Sequence, residues 1–252
     1  MDFFELHRGL PREGPGDDAS TLRALKLLPA LPRCPAILDI GCGPGAQTLA
    51  LAQATDGRID ALDSHQPFLD EVLRRAQRAG FADRIRTAHA SMDALPFREP
   101  SFDLLWAEGS IFIIGFERGL TSWLPLVRRG GYVVVSELTW LTGDAPEPAR
   151  RFWKQAYPAM SSVAQNRATI DHCGYLRIAD FVLPRSAWFE SYFDPLEARI
   201  SQLAAQYADD ADTLRFLQGE REEIELVRRY GDTFGYVFYI AQRPLLGALA
   251  RD

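Results

Sequence analysis

The sequence predicts an open α/β fold, a doubly wound sheet of mostly parallel strands with helices on both faces. Three observations carry this. Ala36-Ile37-Leu38-Asp39-Ile40 is a short apolar run that stops at Gly41-Cys42-Gly43-Pro44-Gly45 and resumes with a helical pattern at Ala46-Gln47-Thr48-Leu49-Ala50-Leu51-Ala52. Gly57-Arg58-Ile59-Asp60-Ala61-Leu62-Asp63 reads as a second strand, ending in an acid 22 residues after Gly41. From there to Ser136, short apolar runs and helical stripes alternate regularly, which implies parallel strands joined by crossover helices.

Taken in order, residues 1–17 hold Gly9-Leu10-Pro11-Arg12-Glu13-Gly14-Pro15-Gly16, too rich in glycine and proline for a helix or a central strand. Ser20 and Thr21 offer caps ahead of a short leucine-bearing helix that stops near Pro29. Strand 36–40 leads to a helix over 45–55, and strand 58–63 to a helix over 65–80. In the latter Pro67 suits the first turn, Leu69, Val72, Leu73 and Ala76 share a stripe, and Gly80 is a C-terminal stop. Residues 84–90 and 102–107 read as the third and fourth strands. A helix bearing Phe116, Leu120, Trp123, Leu124 and Val127 follows, and Gly130-Gly131 turns into strand 132–136.

Glycine at alternate positions lets the backbone turn sharply and approach a ligand closely. The helix that follows points its free N–H groups into the turn. Gly41-x-Gly43-x-x-Ala46 satisfies a dinucleotide fingerprint, while Gly41-x-Gly43-x-Gly45 has the form found in S-adenosylmethionine enzymes. A carboxylate at the offset of Asp63 can accept both hydroxyls of a ribose, or it can cap the next helix.

With Leu62-Asp63-Ser64, Ser91-Met92-Asp93-Ala94-Leu95-Pro96-Phe97, Phe102-Asp103-Leu104-Leu105-Trp106 and Gly130–Glu137 added, the chain resembles the class I S-adenosylmethionine-dependent methyltransferases. Within them it is similar to the small-molecule branch of the ubiquinone and menaquinone biosynthesis methyltransferases. The resemblance runs from about residue 36 to 137. It implies a Rossmann-like, seven-stranded sheet, mostly parallel with an antiparallel edge strand, and helical insertions over its C-terminal edge. It implies S-adenosyl-L-methionine as cofactor, with Asp39, Gly41, Cys42 and Gly43 at its methionine part. Asp63 and Ser64 would serve its ribose and adenine, Met92 and Asp93 its adenine, and Glu108 the rim. Met92 can equally fill core, and Asp93 and Glu108 can cap turns. The implied layout is one methyltransferase domain: an N-terminal lid and helix over 1–30, a cofactor-binding core over 35–138, and substrate cap helices with the final strands over 139–252. The lid would bring His7 or Arg12 to the site.

After Glu137 helical stripes dominate, at 149–157, 162–173, 196–207 and 214–227, with short strands at 177–183 and 236–242. Phe152, Trp153 and Tyr157 fall at helical spacing and are expected in the core. Trp188-Phe189-Glu190-Ser191-Tyr192-Phe193 is hard to bury whole. Glu137, Trp140, Trp188 and Tyr192 are therefore expected at the acceptor site. No catalytic residue is assigned. Glu108, Glu137, His7 and His172 are the candidates should the acceptor have to lose a proton.

The chain has 252 residues, 47% hydrophobic, enough for one substantial core. Its net charge of −6 and the absence of a basic tail argue against a nucleic-acid partner. Position 108 also departs from the Asp/Asn-Pro-Pro-aromatic loop of base methyltransferases. Three scattered cysteines and four histidines suggest neither disulfides nor a metal site. No run of 18 apolar residues occurs and the N-terminus carries acids, so the expectation is a cytoplasmic enzyme with a small-molecule acceptor and room for a homodimer. The rivals are a nucleic-acid or protein methyltransferase, an NAD-type dehydrogenase, and a cofactor-binding protein without turnover.

Overall fold

A computed structural model describes residues 1–245; the last seven residues of the expected 139–252 region lie outside the described ones. The strands are β1 (Ala36–Ile40), β2 (Arg58–Asp63), β3 (Ile85–His89), β4 (Phe102–Ala107), β5 (Val127–Trp140), β6 (Ser161–Ser162), β7 (Leu176–Val182) and β8 (Phe234–Gln242). They form one sheet in the order β3-β2-β1-β4-β5-β8-β7, with the two-residue β6 pairing the end of β5. β1 to β5 are mutually parallel, and β8 runs antiparallel to both β5 and β7. The antiparallel strand therefore lies one position in from the edge, covered by β7.

The helices are α1 (Phe3–Leu6), α2 (Asp18–Lys26), α3 (Ala46–Ala54), α4 (Gln66–Ala79), α5 (Phe116–Trp123), α6 (Glu147–Ala156), α7 (Val163–His172), α8 (Arg185–Trp188), α9 (Asp194–Gln206) and α10 (Ala211–Tyr230). α2 starts earlier than Ser20 and Thr21 suggested, because Asp17 is the cap and accepts the Ser20 N–H at 2.6 Å. α4 ends at Gly80 as read, in the left-handed region at φ 77°.

Successive strand residues face opposite sides of the sheet, and both sides are buried. Ile37, Ile59, Leu104 and Val134 join one core with α2, α3, α4, α6, α9 and α10. Leu38, Ile40, Leu62, Leu105, Val133 and Val135 join a second core with α5 and α7. β5 is far longer than the expected 132–136. Its nine-residue ladder with β8, Tyr132–Trp140, extends it at the C-terminal end. At the other end Gly130 and Gly131 lie inside the strand, where the register with β4 shifts between Phe102 and Leu104. A Cβ on Gly131 would stand 2.9 Å from the Asp103 carbonyl oxygen, so close backbone packing, not a free turn, requires glycine there.

Candidate functional site

β1 ends in a turn whose three glycines all have positive φ: Gly41 at 71°, Gly43 at 51° and Gly45 at 87°. The turn is held to β2 by the Gly41 and Cys42 N–H groups, which donate to the Leu62 carbonyl at 2.8 and 3.0 Å. Asp63, at the tip of β2, accepts the Gly43 N–H on one oxygen and the His65 N–H on the other, both at 2.9 Å. Each oxygen keeps a lone pair, so the carboxylate can still accept two hydroxyls. Gly41, Cys42, Gly43, Asp63, Ser64 and Met92 all line a cavity of about 690 Å³ at the carboxyl ends of the strands.

Asp39 does not reach that wall. It is fully buried behind it, accepting Thr48 Oγ1 at 2.5 Å and Gln47 Nε2 at 3.3 Å, and burial pushes its carboxyl up to about 7. Gln47 stands on the wall instead. Asp93 is exposed and pairs with Arg118 at 3.6 Å, away from the cavity, while its neighbours Ser91 and Met92 line it. These residues fit the nucleoside and amino-acid ends of S-adenosylmethionine: side-chain-free backbone at the turn, a two-oxygen acceptor at the next strand tip, and an oriented amide between them.

The segment before β1 closes this corner. Arg12 donates to Asp18 at 2.7 Å and to Glu108 at 3.4 Å. Glu108, at the end of β4, also accepts the Thr21 hydroxyl at 2.6 Å and the Trp106 indole N–H at 2.8 Å. Burial raises its carboxyl, and Arg12 works against that rise. Glu108 is thus on the cavity wall with three donors already placed. Glu13 lies over the turn, its Cγ 3.2 Å from where a Gly43 Cβ would be. Burial and the nearby Asp63 push it up to about 8, and Oε2 has no partner among the described residues.

The far wall is aromatic. α8 runs into α9 through a π-helical turn, Phe189–Phe193, which places both Trp188 and Tyr192 on the cavity. Tyr192 is hydrogen-bonded to His7 at 3.0 Å, so His7 stands behind this wall. Trp153 and Tyr157 are buried or half-buried as expected, yet they too line the cavity, with Tyr236 from β8. Glu137 is 2% exposed and absent from the wall, but its Oε1 accepts the Tyr157 hydroxyl. Burial pushes Glu137 up to about 7. Trp140 is also off the cavity, packed edge-on against Phe234. His172 is on the surface, 3.9 Å from Glu117. No group of three metal-ligating side chains comes together among the described residues.

The cavity includes residues the sequence reading passed over: Glu13, Gln47, Ser110, Tyr236, Glu220 and Glu223. One signal was available. Glu220 falls three residues after Leu217 and four before Ile224, on the buried stripe of α10, where an acid is out of place.

A methyltransferase domain family matches residues 37–131. The sarcosine/dimethylglycine N-methyltransferase of Aphanothece halophytica is 29% identical over 149 residues, 57% of this chain and 53% of that one. The malonyl-[acyl-carrier protein] O-methyltransferase of Erwinia billingiae is 31% identical over 127 residues, 46% of this chain and 48% of that one. The chain thus spans about half the length of these curated relatives. Among solved structures, YjhP from E. coli superposes with a TM-score of 0.82 at 16% identity, covering 96% of this chain and 98% of that one, a likeness of fold. The glycine turn, the strand order and the match over residues 37–131 together support a class I S-adenosylmethionine-dependent methyltransferase core in this chain.

Proposed function

We propose that the chain transfers a methyl group from S-adenosylmethionine to a small organic acceptor. The observation that carries this reading is the continuity of one cavity from the glycine turn and Asp63 to the aromatic wall of Trp188, Tyr192, Tyr157 and Tyr236. The cofactor supplies a methyl carbon on a positively charged sulfur, and its thioether leaving group needs no proton. What the chain adds is alignment, which can lower a barrier by about 7–11 kcal/mol. Asp63 would hold the ribose hydroxyls, with Ser64 and Met92 beside the adenine. Gln47, whose amide nitrogen is tied to Asp39 and the Cys42 carbonyl, leaves its oxygen as an acceptor toward the amino-acid end.

For an acceptor that must lose a proton, we assign Glu137 acting through Tyr157. Glu108 is saturated by donors, and His172 stands outside the cavity. The lid, core and cap division, a cytoplasmic setting, a small molecule in place of nucleic acid, and a homodimer belong to the same proposal. The names of the two curated relatives point to acceptors of different kinds, one a small amine and one an acyl group on a carrier protein. The quinone-type branch is thus one small-molecule option among several.

Calorimetry with S-adenosylhomocysteine, followed by a screen of acceptors with labelled S-adenosylmethionine, tests the reading. Binding of the nucleoside and label on a small molecule are expected. No binding, preference for NADH, or label only on RNA, DNA or protein would overturn it. Binding without transfer to any acceptor would leave the fold's cofactor site and remove the enzyme.

A further inference from the structure

Acids outnumber bases on the wall of the cavity, and two of them, Glu220 and Glu223, stand beside the aromatic wall of its acceptor end. The whole wall holds Glu13, Asp63, Glu108, Glu220 and Glu223, and among the described residues Arg12 is the one basic side chain on it. Arg12 is already committed to Asp18 and Glu108. Glu220 and Glu223 make neither a hydrogen bond nor an ion pair with any described residue, and both are half-buried. They lie three apart on α10, so their side chains share a face. A carboxylate taken from water without a partner is costly, and the protein supplies no cation here to offset that cost.

The surroundings of the two acids are rings. Trp188 and Tyr236 lie with centroids 5.3 Å apart, and Tyr192 and Trp153 complete the wall. Trp153 is only 6% exposed, yet its indole N–H has no acceptor among the described residues. Behind the same wall Glu137, 2% exposed, leaves Oε2 without a donor among the described residues. Unfilled donors and acceptors buried around an open space are the mark of a place shaped for a polar guest. Aromatic faces ringed with carboxylates favour one kind of guest, a cation of low hydration.

We propose that Glu220 and Glu223, with the faces of Trp188, Tyr192, Tyr236 and Trp153, form a receptor for an ammonium group, so that the acceptor carries a protonated or quaternary ammonium on an apolar body and takes the methyl group at another atom, the held nitrogen having no lone pair to offer. The inference deepens the methyl-transfer reading and rests on it only for the word acceptor. The charge of Glu220 and Glu223 also reaches Tyr192, and that of Glu223 reaches Tyr236, which helps keep both phenols protonated. Burial pushes Glu223 up to about 7, helped by the like charge of Glu220. A bound cation would hold both acids ionised.

The test uses the full chain at pH 8 and two probes of one shape, benzyltrimethylammonium and its uncharged carbon isostere neopentylbenzene. Binding is read by ligand-observed NMR with and without saturating S-adenosylhomocysteine. At least tenfold tighter binding of the cation is expected, with that preference lost in the Glu220→Gln/Glu223→Gln double variant. Affinity for S-adenosylhomocysteine and the unfolding temperature report that the variant is folded, and single Glu220→Gln and Glu223→Gln variants serve if the double one is not. Equal binding of the two probes, or a preference that survives the substitutions, would overturn the inference. Cation preference without nucleoside binding would uphold this receptor and sink the methyl-transfer reading. Nucleoside binding without cation preference would do the reverse.

Discussion

In the proposed function, Asp63 is the residue on which donor binding turns. It joins the tip of β2 to the glycine turn and still has acceptor capacity facing the cavity. Hydrogen bonds to a charged group contribute about 1.5–3 kcal/mol each, so Asp63→Ala should weaken S-adenosylhomocysteine about ten- to a hundredfold by calorimetry. The same proposal gives Glu137 the acceptor side where a proton must leave. Its working form is the anion, so with the group raised to about 7, kcat/KM should climb with pH through that value and level off above it. Glu137→Gln should flatten that limb in the pH–rate profile and leave nucleoside affinity intact. Asp63 and the glycines were legible because their types and spacing are imposed by backbone geometry that repeats wherever such a corner is built. Trp140 was not: it lies three residues after Glu137, an odd step that puts the two on opposite faces of β5, and no spacing rule says which face opens on a cavity.

Among the elements, the π-helical turn at Phe189–Phe193 decides what α8 and α9 present. An extra residue in one turn rotates everything before it relative to everything after it, and such turns recur at functional sites. Deleting Ser191 should restore regular α-helix, swing Trp188 away from Tyr192, and raise KM for the acceptor at least fivefold without changing nucleoside affinity. Sequence periodicity could place helices on both sides of this stretch but not the interruption, because one added residue leaves each flanking stripe intact. β5 shows the converse. Gly130-Gly131 reads as a turn from propensity, and the backbone bonds that both make with Arg243 keep them in the strand instead. Gly131→Ala would press a methyl group against the Asp103 carbonyl and should cost about 1–3 kcal/mol in chemical denaturation.

For the whole molecule, four buried or partly buried acids share one sign of shift: Glu13 up to about 8, and Asp39, Glu137 and Glu223 up to about 7. The unfolded chain gives up these protons near pH 4–5, whereas the folded one keeps them to about 7–8. Between those limits the unfolded state binds fewer protons, so stability falls as pH rises. Tm measured without ligand should therefore drop from pH 5 to pH 8, and Glu223→Gln should make the decline shallower. The strand and helix order of the doubly wound core was readable, though not the extent of β5, since buried strands and crossover helices dictate their own patterns. Where the cap helices land on it was not, because nothing local in a stripe names its partner. The His7–Tyr192 hydrogen bond links the segment that closes over the glycine turn to the helix that walls the opposite room. Any guest that tightens one side must then bias the other, and thermodynamic reciprocity makes the two affinity factors equal. His7→Phe should leave two guests that bind as strangers.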